Sequence, residues 1–326
     1  MIILMSPSVS EKRRIERQNE EPRWFASPII ETDPDTHFSR SWSHLASSMR
    51  DKARRTDALV FSVGEIEAFL SLVPTTRLNI CSLFQWPYLD LLPSIKRQIY
   101  RRLLTKSKVI VTYSQAAEVY LRGMFPNKKI FWMGLFTDTD FFCPGSNGIP
   151  MRKYLLAVGD HLRFEDIIVQ IATKLRMPIV RVSNDVRVAS FYSANPSALV
   201  EMRRGVDFKE LRKLYQNAAA VLNVVDDSKW PVGITSFCEA LAMNKALITS
   251  GRHCCSGYVF DDGSRPYTTI EQPQDVDCWL EGVGGIVREE SLWKSGRSPR
   301  DLAIKMCSFE QAVRKWKNVV DILGAD

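Results

Sequence analysis

The chain has 326 residues, enough for two domains of ordinary size. Apolar residues make up 45% and charged residues 25%, a globular balance, and no apolar run approaches the length of a membrane span. A formal charge of +7 comes with four scattered histidines and seven cysteines lacking any CxxC pair, so a disulfide framework and a structural zinc site are excluded, and reduced thiols in the cytoplasm are expected.

The opening "MIILMSPSV" is too short for a signal-peptide core and lacks a basic start. Residues 1–24 read as a polar, charged, poorly ordered tail. Strands and helices then alternate over residues 25–135. "ASPIIET" reads as a strand, "FSRSWSHLASSMRDKARR" as a helix, "DALVFSV" as a buried strand, "GEIEAFLSLV" as a helix and "RLNICSLF" as a strand. "SIKRQIYRRLLTKSK" carries Lys96, Arg97, Arg101, Arg102, Lys106 and Lys108 without an acid, and Ile95, Ile99, Leu103 and Leu104 fall at helical spacing. Such a basic amphipathic helix, 94–108, is either an ordinary solvated face or a peripheral contact with an anionic membrane surface. The strand "KVIVTYS", the helix "AAEVYLRGMF" and the strand "KIFWMGL" follow. No basic motif interleaved with aromatics and no helix-turn-helix signature points to nucleic acid.

Residues 136–150, "FTDTDFFCPGSNGIP", are rich in Gly, Pro, Asp and Asn and read as an interdomain linker. A second alternating series fills residues 151–326: "YLLAVG", "RFEDIIVQIATKL", "PIVRVS", "DFKELRKLYQNA" and "AAVLNVV", with late helices at the end. Two Rossmann-like domains with a cleft between them are therefore expected, each an α/β unit with a parallel sheet that binds ligands at the carboxyl ends of its strands.

The stretch "KWPVGITSFCEALAMNKALITSG" begins just after such a strand end. Ser236 and Glu239 fit the capping-box spacing, so one reading makes Glu239 a helix cap. The other places an anion on the amides of Gly233, Ile234, Thr235 and Ser236, because a helix N-terminus is electropositive and presents unpaired donors. Asn244 suits a left-handed helix end, and "ALIT" a buried strand. Asp138-Thr139-Asp140 and Asp275-Val276-Asp277 have a spacing that can hold Mg²⁺, but it arises readily by chance, and no metal is expected. "GVGG" at Gly282–Gly285 lacks the third glycine of a dinucleotide fingerprint, and there is no Walker A sequence. Arg163, in "VGDHLRFED", either reaches a phosphate or pairs on the surface with Glu165 or Asp166.

Taken in order, "GLFTDTDFF", "YLLAVG", "FKELRKLYQNAAAVL" and "SFCEALAMNKALITS" resemble the retaining glycosyltransferases of family four, which have the two-domain GT-B fold. The resemblance covers roughly Lys108 to the C-terminus. It implies transfer of a sugar from a UDP- or GDP-sugar to a saccharide, lipid or small-molecule acceptor, without metal or cofactor. It also implies that Glu239 accepts hydrogen bonds from the ribose hydroxyls, that the Gly233–Ser236 amides hold the diphosphate, and that Arg163 stabilises the leaving group. Four features depart from the family. Pro231 stands where its first glutamate falls, with Asp226, Asp227 or Lys229 as substitutes; Asp160 replaces the arginine after the Val-Gly turn; "NICSLFQWPY" has no histidine; and the N-terminal domain lacks the usual first strand and glycine-rich turn. They keep open a catalytically silent GT-B module that binds nucleotide or a partner enzyme. A sugar-nucleotide epimerase is a third option, but the chain supplies no convincing set of carboxylates and histidine for it.

Overall fold

A computed structural model describes residues 2–5, 22–23, 31, 37–39, 58–62, 79–84, 89–145, 154–160, 162–226, 232–288 and 297–324. The chain divides into two compact units. The first holds Met1–Gln18, Arg23–Gly134 and Phe309–Asp326; the second holds Asn19–Pro22 and Leu135–Ser308.

The first unit is built on a six-stranded sheet of β1 (Ile2–Met5), β2 (His37–Ser39), β3 (Ala58–Ser62), β4 (Asn79–Phe84), β5 (Val109–Thr112) and β6 (Lys129–Trp132). Its order is β2-β1-β3-β4-β5-β6, and every pairing is parallel. The expected tail and the missing first strand are corrected at Ile2–Met5, which pairs with β2 on one side and β3 on the other; residues 6–21 and 24 lie outside the described residues. Four consecutive apolar residues are too few for a signal core, but they are the length of a strand in a parallel sheet covered on both faces. His37–Ser39, whose last two residues fall in an expected helix, is strand; the rest of that helix, "ASPIIET" apart from Glu31, and "GEIEAFLSLV" lie outside the described residues.

Helices α1 (Ser94–Lys106) and α2 (Gln115–Met124) flank β5 in sequence. Tyr100 and Leu104 of α1 pack with Leu121 of α2 and with Phe125 and Ile130. The spacing places Ile95 in the apolar stripe, but it is 73% exposed, because Tyr100, Leu103 and Leu104 centre the buried face on the opposite side of the helix. The last helix, Phe309–Gly324, was expected in the second domain but belongs to the first unit, where it packs on β3, β4 and β5. Trp316, Val319 and Leu323 are its buried face, and Lys108 Nζ donates to the Leu323 carbonyl at 3.1 Å.

The second unit contains β7 (Tyr154–Val158), β8 (Ile179–Val182), β9 (Val200–Arg203), β10 (Ala218–Asn223), β11 (Ala246–Thr249) and β12 (Thr268–Thr269) in the order β12-β11-β10-β7-β8-β9, all parallel. Its helices are α3 (Glu165–Leu175), α4 (Val186–Ala194), α5 (Phe208–Asn217), α6 (Ile234–Ala242), α7 (Arg252–Cys255), α8 (Val276–Arg288) and α9 (Pro299–Cys307). Strand order reverses between β7 and β10, the switch point at which doubly wound sheets open a crevice. The core joins Ile167, Ile168 and Ile171 of α3, Leu155 of β7, Leu222 of β10, Ile248 of β11 and Trp279 of α8. The Gly282–Gly285 run lies inside α8.

The stretch expected as a linker is built into this unit as far as Gly145, and residues 146–150 lie outside the described residues. Phe142 is buried, and the Arg300 guanidinium donates to the carbonyls of Thr139, Phe142 and Ala242 at 3.1, 3.2 and 2.7 Å. Asp138 closes a turn by accepting from the amides of Asp140 and Phe141, and Asp277 pairs with Lys174. No group of three or more His, Cys, Asp and Glu among the described residues could hold a metal ion, and no helix among them is long and apolar enough to cross a membrane.

Candidate functional site

The site lies within the second unit, at the carboxyl ends of β7 and β10. The chain leaves β7 through Gly159, at φ +127°, and Leu162, at φ 50° and 44% exposed. It then pairs across the switch point: Arg163 and Val225 form an antiparallel bridge, and the Asp226 amide donates to the Leu162 carbonyl at 2.8 Å. A non-glycine residue in the left-handed region stores strain that its surroundings must hold in place, as this bridge does.

Arg163 folds back on its own turn, with Nη2 donating to the Val158 carbonyl at 3.0 Å. A Cβ at position 159 would stand 3.1 Å from the arginine Cζ and closer still to Nη2, so the glycine makes room for the guanidinium. Of the two carboxylates weighed as surface partners for Arg163, Glu165 is engaged by other groups. It accepts from Arg181, at 2.9 and 2.6 Å, and from the Tyr192 hydroxyl at 2.7 Å. Arg181 is fully buried in β8, and its charge is answered by this bidentate pair and by the Val182 carbonyl. Burial first, and repulsion from Arg181 second, pull the Arg163 pKa down to about 10; Cys254, Glu165 and Tyr215 act in the opposite direction. Arg163 therefore remains a cation at neutral pH.

Helix α6 does not begin with the expected capping box. Gly233 is its N-cap, at φ +81° with no side-chain cap, and Ser236 sits one turn inside. Ser236 Oγ lies 3.1 Å from the Gly233 carbonyl and 3.3 Å from Asn223 Oδ1. The glycine is required by contact as well as by φ: a Cβ there would stand 2.6 Å from Asn223 Oδ1 and 2.8 Å from Val225 Cγ1. Ile234 and Ser236 are buried and Thr235 is exposed. Pro231, Asp227 and Lys229 lie outside the described residues.

Glu239 is released from capping and turns into the unit. It is 5% exposed, and one carboxylate oxygen accepts from the Tyr215 hydroxyl of α5 at 2.8 Å. Burial, then the Glu239 charge, hold the Tyr215 phenol well above the ordinary tyrosine range, while Arg163 pulls the other way. Tyr215 thus touches Glu239 and lies within the electrostatic reach of Arg163.

The loops are tied by polar groups whose roles the sequence does not announce. Buried Asn223, at the end of β10, donates to Thr249 Oγ1 at 3.1 Å and more weakly to the Gly233 carbonyl and Cys254 Sγ. The Ser250 hydroxyl bonds both the amide and the carbonyl of Val225 at 2.8 Å. Asp160 accepts from Ser183 Oγ at 2.8 Å and the Asn184 amide at 2.7 Å, and Asn184 Oδ1 accepts from the Gly205 amide at 2.8 Å, so the turns after β7, β8 and β9 are linked. Asp160 is engaged there in holding loops. The signal for Asn223 is a polar residue inside the apolar run "AAVLNVV"; Tyr215 falls in the stretch "FKELRKLYQNAAAVL" that carries the resemblance, but its role is not signalled there.

No protein-family model and no curated protein matches this sequence. Solved structures do match its fold. A glycosyltransferase from Rickettsia africae aligns with TM-score 0.70 at 12% identity, covering 99% of this chain and 98% of that one. Sucrose-phosphate synthase from Thermosynechococcus elongatus aligns with TM-score 0.72 at 12% identity, covering 98% and 97%. Anabaena Alr3699/HepE, solved in complex with UDP, aligns with TM-score 0.71 at 9% identity, covering 98% and 99%. At these identities the likeness shows the fold, that of GT-B glycosyltransferases.

Proposed function

We propose that the chain is a retaining, metal-independent glycosyltransferase that moves a hexosyl group from a UDP- or GDP-sugar to a saccharide, lipid or small-molecule acceptor. The observation that supports this reading is that the glycine-capped helix carrying the buried Glu239–Tyr215 pair follows β10, while Arg163 bridges Val225 on the turn after β7, at the switch point of a sheet with a glycosyltransferase fold. Glu239 accepts from the ribose hydroxyls, and the Gly233–Ser236 turn and Arg163 hold the diphosphate. In the reaction the bond from the anomeric carbon to the leaving phosphate oxygen breaks, and its electron pair goes to the diphosphate. The acceptor hydroxyl attacks from the same face and passes its proton to that oxygen, so no protein nucleophile is needed. Arg163 answers the charge that develops on the leaving group.

Calorimetry with UDP, GDP and their sugars tests the reading: saturable binding is expected, and no binding by any of them overturns it. Arg163→Met is expected to weaken diphosphate binding about 10- to 100-fold. Its melting temperature is measured alongside, so that a loss of affinity is read apart from a loss of fold. A lower melting temperature with unchanged affinity would make Arg163 a structural residue. A silent binding module is the second reading, favoured by Asp160, whose carboxylate stands after the Val-Gly turn and holds loops. Donor hydrolysis or sugar transfer that disappears in Arg163→Ala rules it out.

The protein works in the cytoplasm with a peripheral membrane contact through α1. That helix carries Lys96, Arg97, Arg101, Arg102 and Lys106 without an acid and keeps Ile95 exposed. A basic residue near an anionic bilayer contributes about 1 kcal/mol. Co-sedimentation with phosphatidylglycerol vesicles, but not phosphatidylcholine vesicles, is expected, and R101E/R102E should release the protein. Equal sedimentation with both lipids, or no loss in the variant, overturns the contact.

A further inference from the structure

We propose that Tyr215 is a positioning residue that sets the Glu239 carboxylate for recognition of a ribose diol. The inference rests on the nucleotide-sugar reading of this site and adds to it the group that decides between ribose and deoxyribose. The phenol is fully buried and its hydroxyl lies 2.8 Å from Glu239 Oε2. An ionised carboxylate only accepts, so the hydroxyl must donate, and one bond uses one of roughly four lone-pair positions. The ring is fully buried and stands edge-on to Phe142 at 6.2 Å and 88°. Its helix is held at both ends. Asp207 caps the start by accepting from the Glu210 amide, and Lys245 Nζ bonds the Gln216 and Ala218 carbonyls at the finish. Glu239 sits on a separate helix, α6, whose start is pinned by Gly233 against Asn223. The bond from Tyr215 therefore joins two independently anchored helices and holds one oxygen of the Glu239 carboxylate in place.

The conservative variant Tyr215→Phe keeps the ring and removes only the donor. Binding of UDP, GDP and ADP is compared by calorimetry with binding of their 2′-deoxy forms. Wild-type protein is expected to prefer the ribose forms, and Tyr215→Phe to narrow that preference about tenfold, chiefly by weakening the ribose forms. In a Glu239→Gln background the same change is expected to add nothing, because Tyr215 acts through that carboxylate. An unchanged preference, or equal weakening of both forms, overturns the inference while leaving the nucleotide-sugar reading in place. Absence of any nucleoside diphosphate binding by wild-type protein overturns both. Should Tyr215→Phe not fold, Glu239→Asp withdraws the carboxylate from Tyr215 by one methylene, and a preserved ribose preference in it overturns the inference equally.

Discussion

Gly233→Ala should lower the unfolding free energy by about 3 kcal/mol, the sum of a left-handed backbone penalty and an overpacked contact. The added methyl would meet the Asn223 side chain at 2.6 Å and Val225 at 2.8 Å, both on the segment that closes the switch point. Neither neighbour can yield cheaply. Asn223 is held by Thr249, and Val225 by the Ser250 hydroxyl. Gly205 supplies the control, with φ +67° and nothing within 4 Å of the position its Cβ would take. Gly205→Ala should therefore cost only about 1 kcal/mol, the backbone share alone. Urea unfolding measures the difference, and equal losses at the two glycines would show that contact with Asn223 does not matter. Nucleotide binding should fall with Gly233→Ala and survive Gly205→Ala, because only the first displaces the start of α6.

The second large effect is expected at the buried ion pair. Glu165→Leu strands the fully buried Arg181 guanidinium and removes the acceptor of the Tyr192 hydroxyl, at a cost of about 3–5 kcal/mol. Replacing both charges, in Glu165→Leu/Arg181→Met, should recover most of that loss, since no charge is left without its partner. Chemical denaturation decides; a single variant within 1 kcal/mol of wild type would make the pair ornamental. The pair also acts on Arg163, which Glu165 stabilises as a cation and Arg181 destabilises. A base with a lowered pKa loses its charge as pH rises through that value, so diphosphate binding should hold at neutral pH and fall near pH 10. In Glu165→Leu, provided the protein stays folded, the fall should come at lower pH, because the supporting carboxylate is gone.

Much of the second unit is legible in sequence because its strands are apolar runs between turn signals and its helices carry periodic faces. "YLLAVG", "PIVRVS" and "AAVLNVV" lie on β7, β8 and β10, and Asn244 takes the left-handed conformation expected of it, φ 54°. The capping box failed because the spacing of Ser236 and Glu239 cannot say which turn of a helix they occupy. With glycine as N-cap both residues move inside, and Glu239 finds Tyr215 instead. Tyr215 lies 24 positions away in sequence, and no local pattern encodes that bond. Ile2–Met5 was missed for a related reason: a parallel strand gets its partners from β2 and β3, far along the chain, and by itself four apolar residues carry no period. Arg181 is unremarkable within "PIVRVS", since a charged side chain inside a buried strand makes sense only with the Glu165 carboxylate that accepts from it.

The first unit is discontinuous, since its sheet is complete by Trp132 but the helix packed on β3, β4 and β5 comes from Phe309–Gly324. During synthesis on the ribosome the whole of Leu135–Ser308 emerges before that helix does. The later segment can thus reach its native state before the helix that packs on β3, β4 and β5 has been made, so completion of the earlier unit depends on a segment synthesised after it.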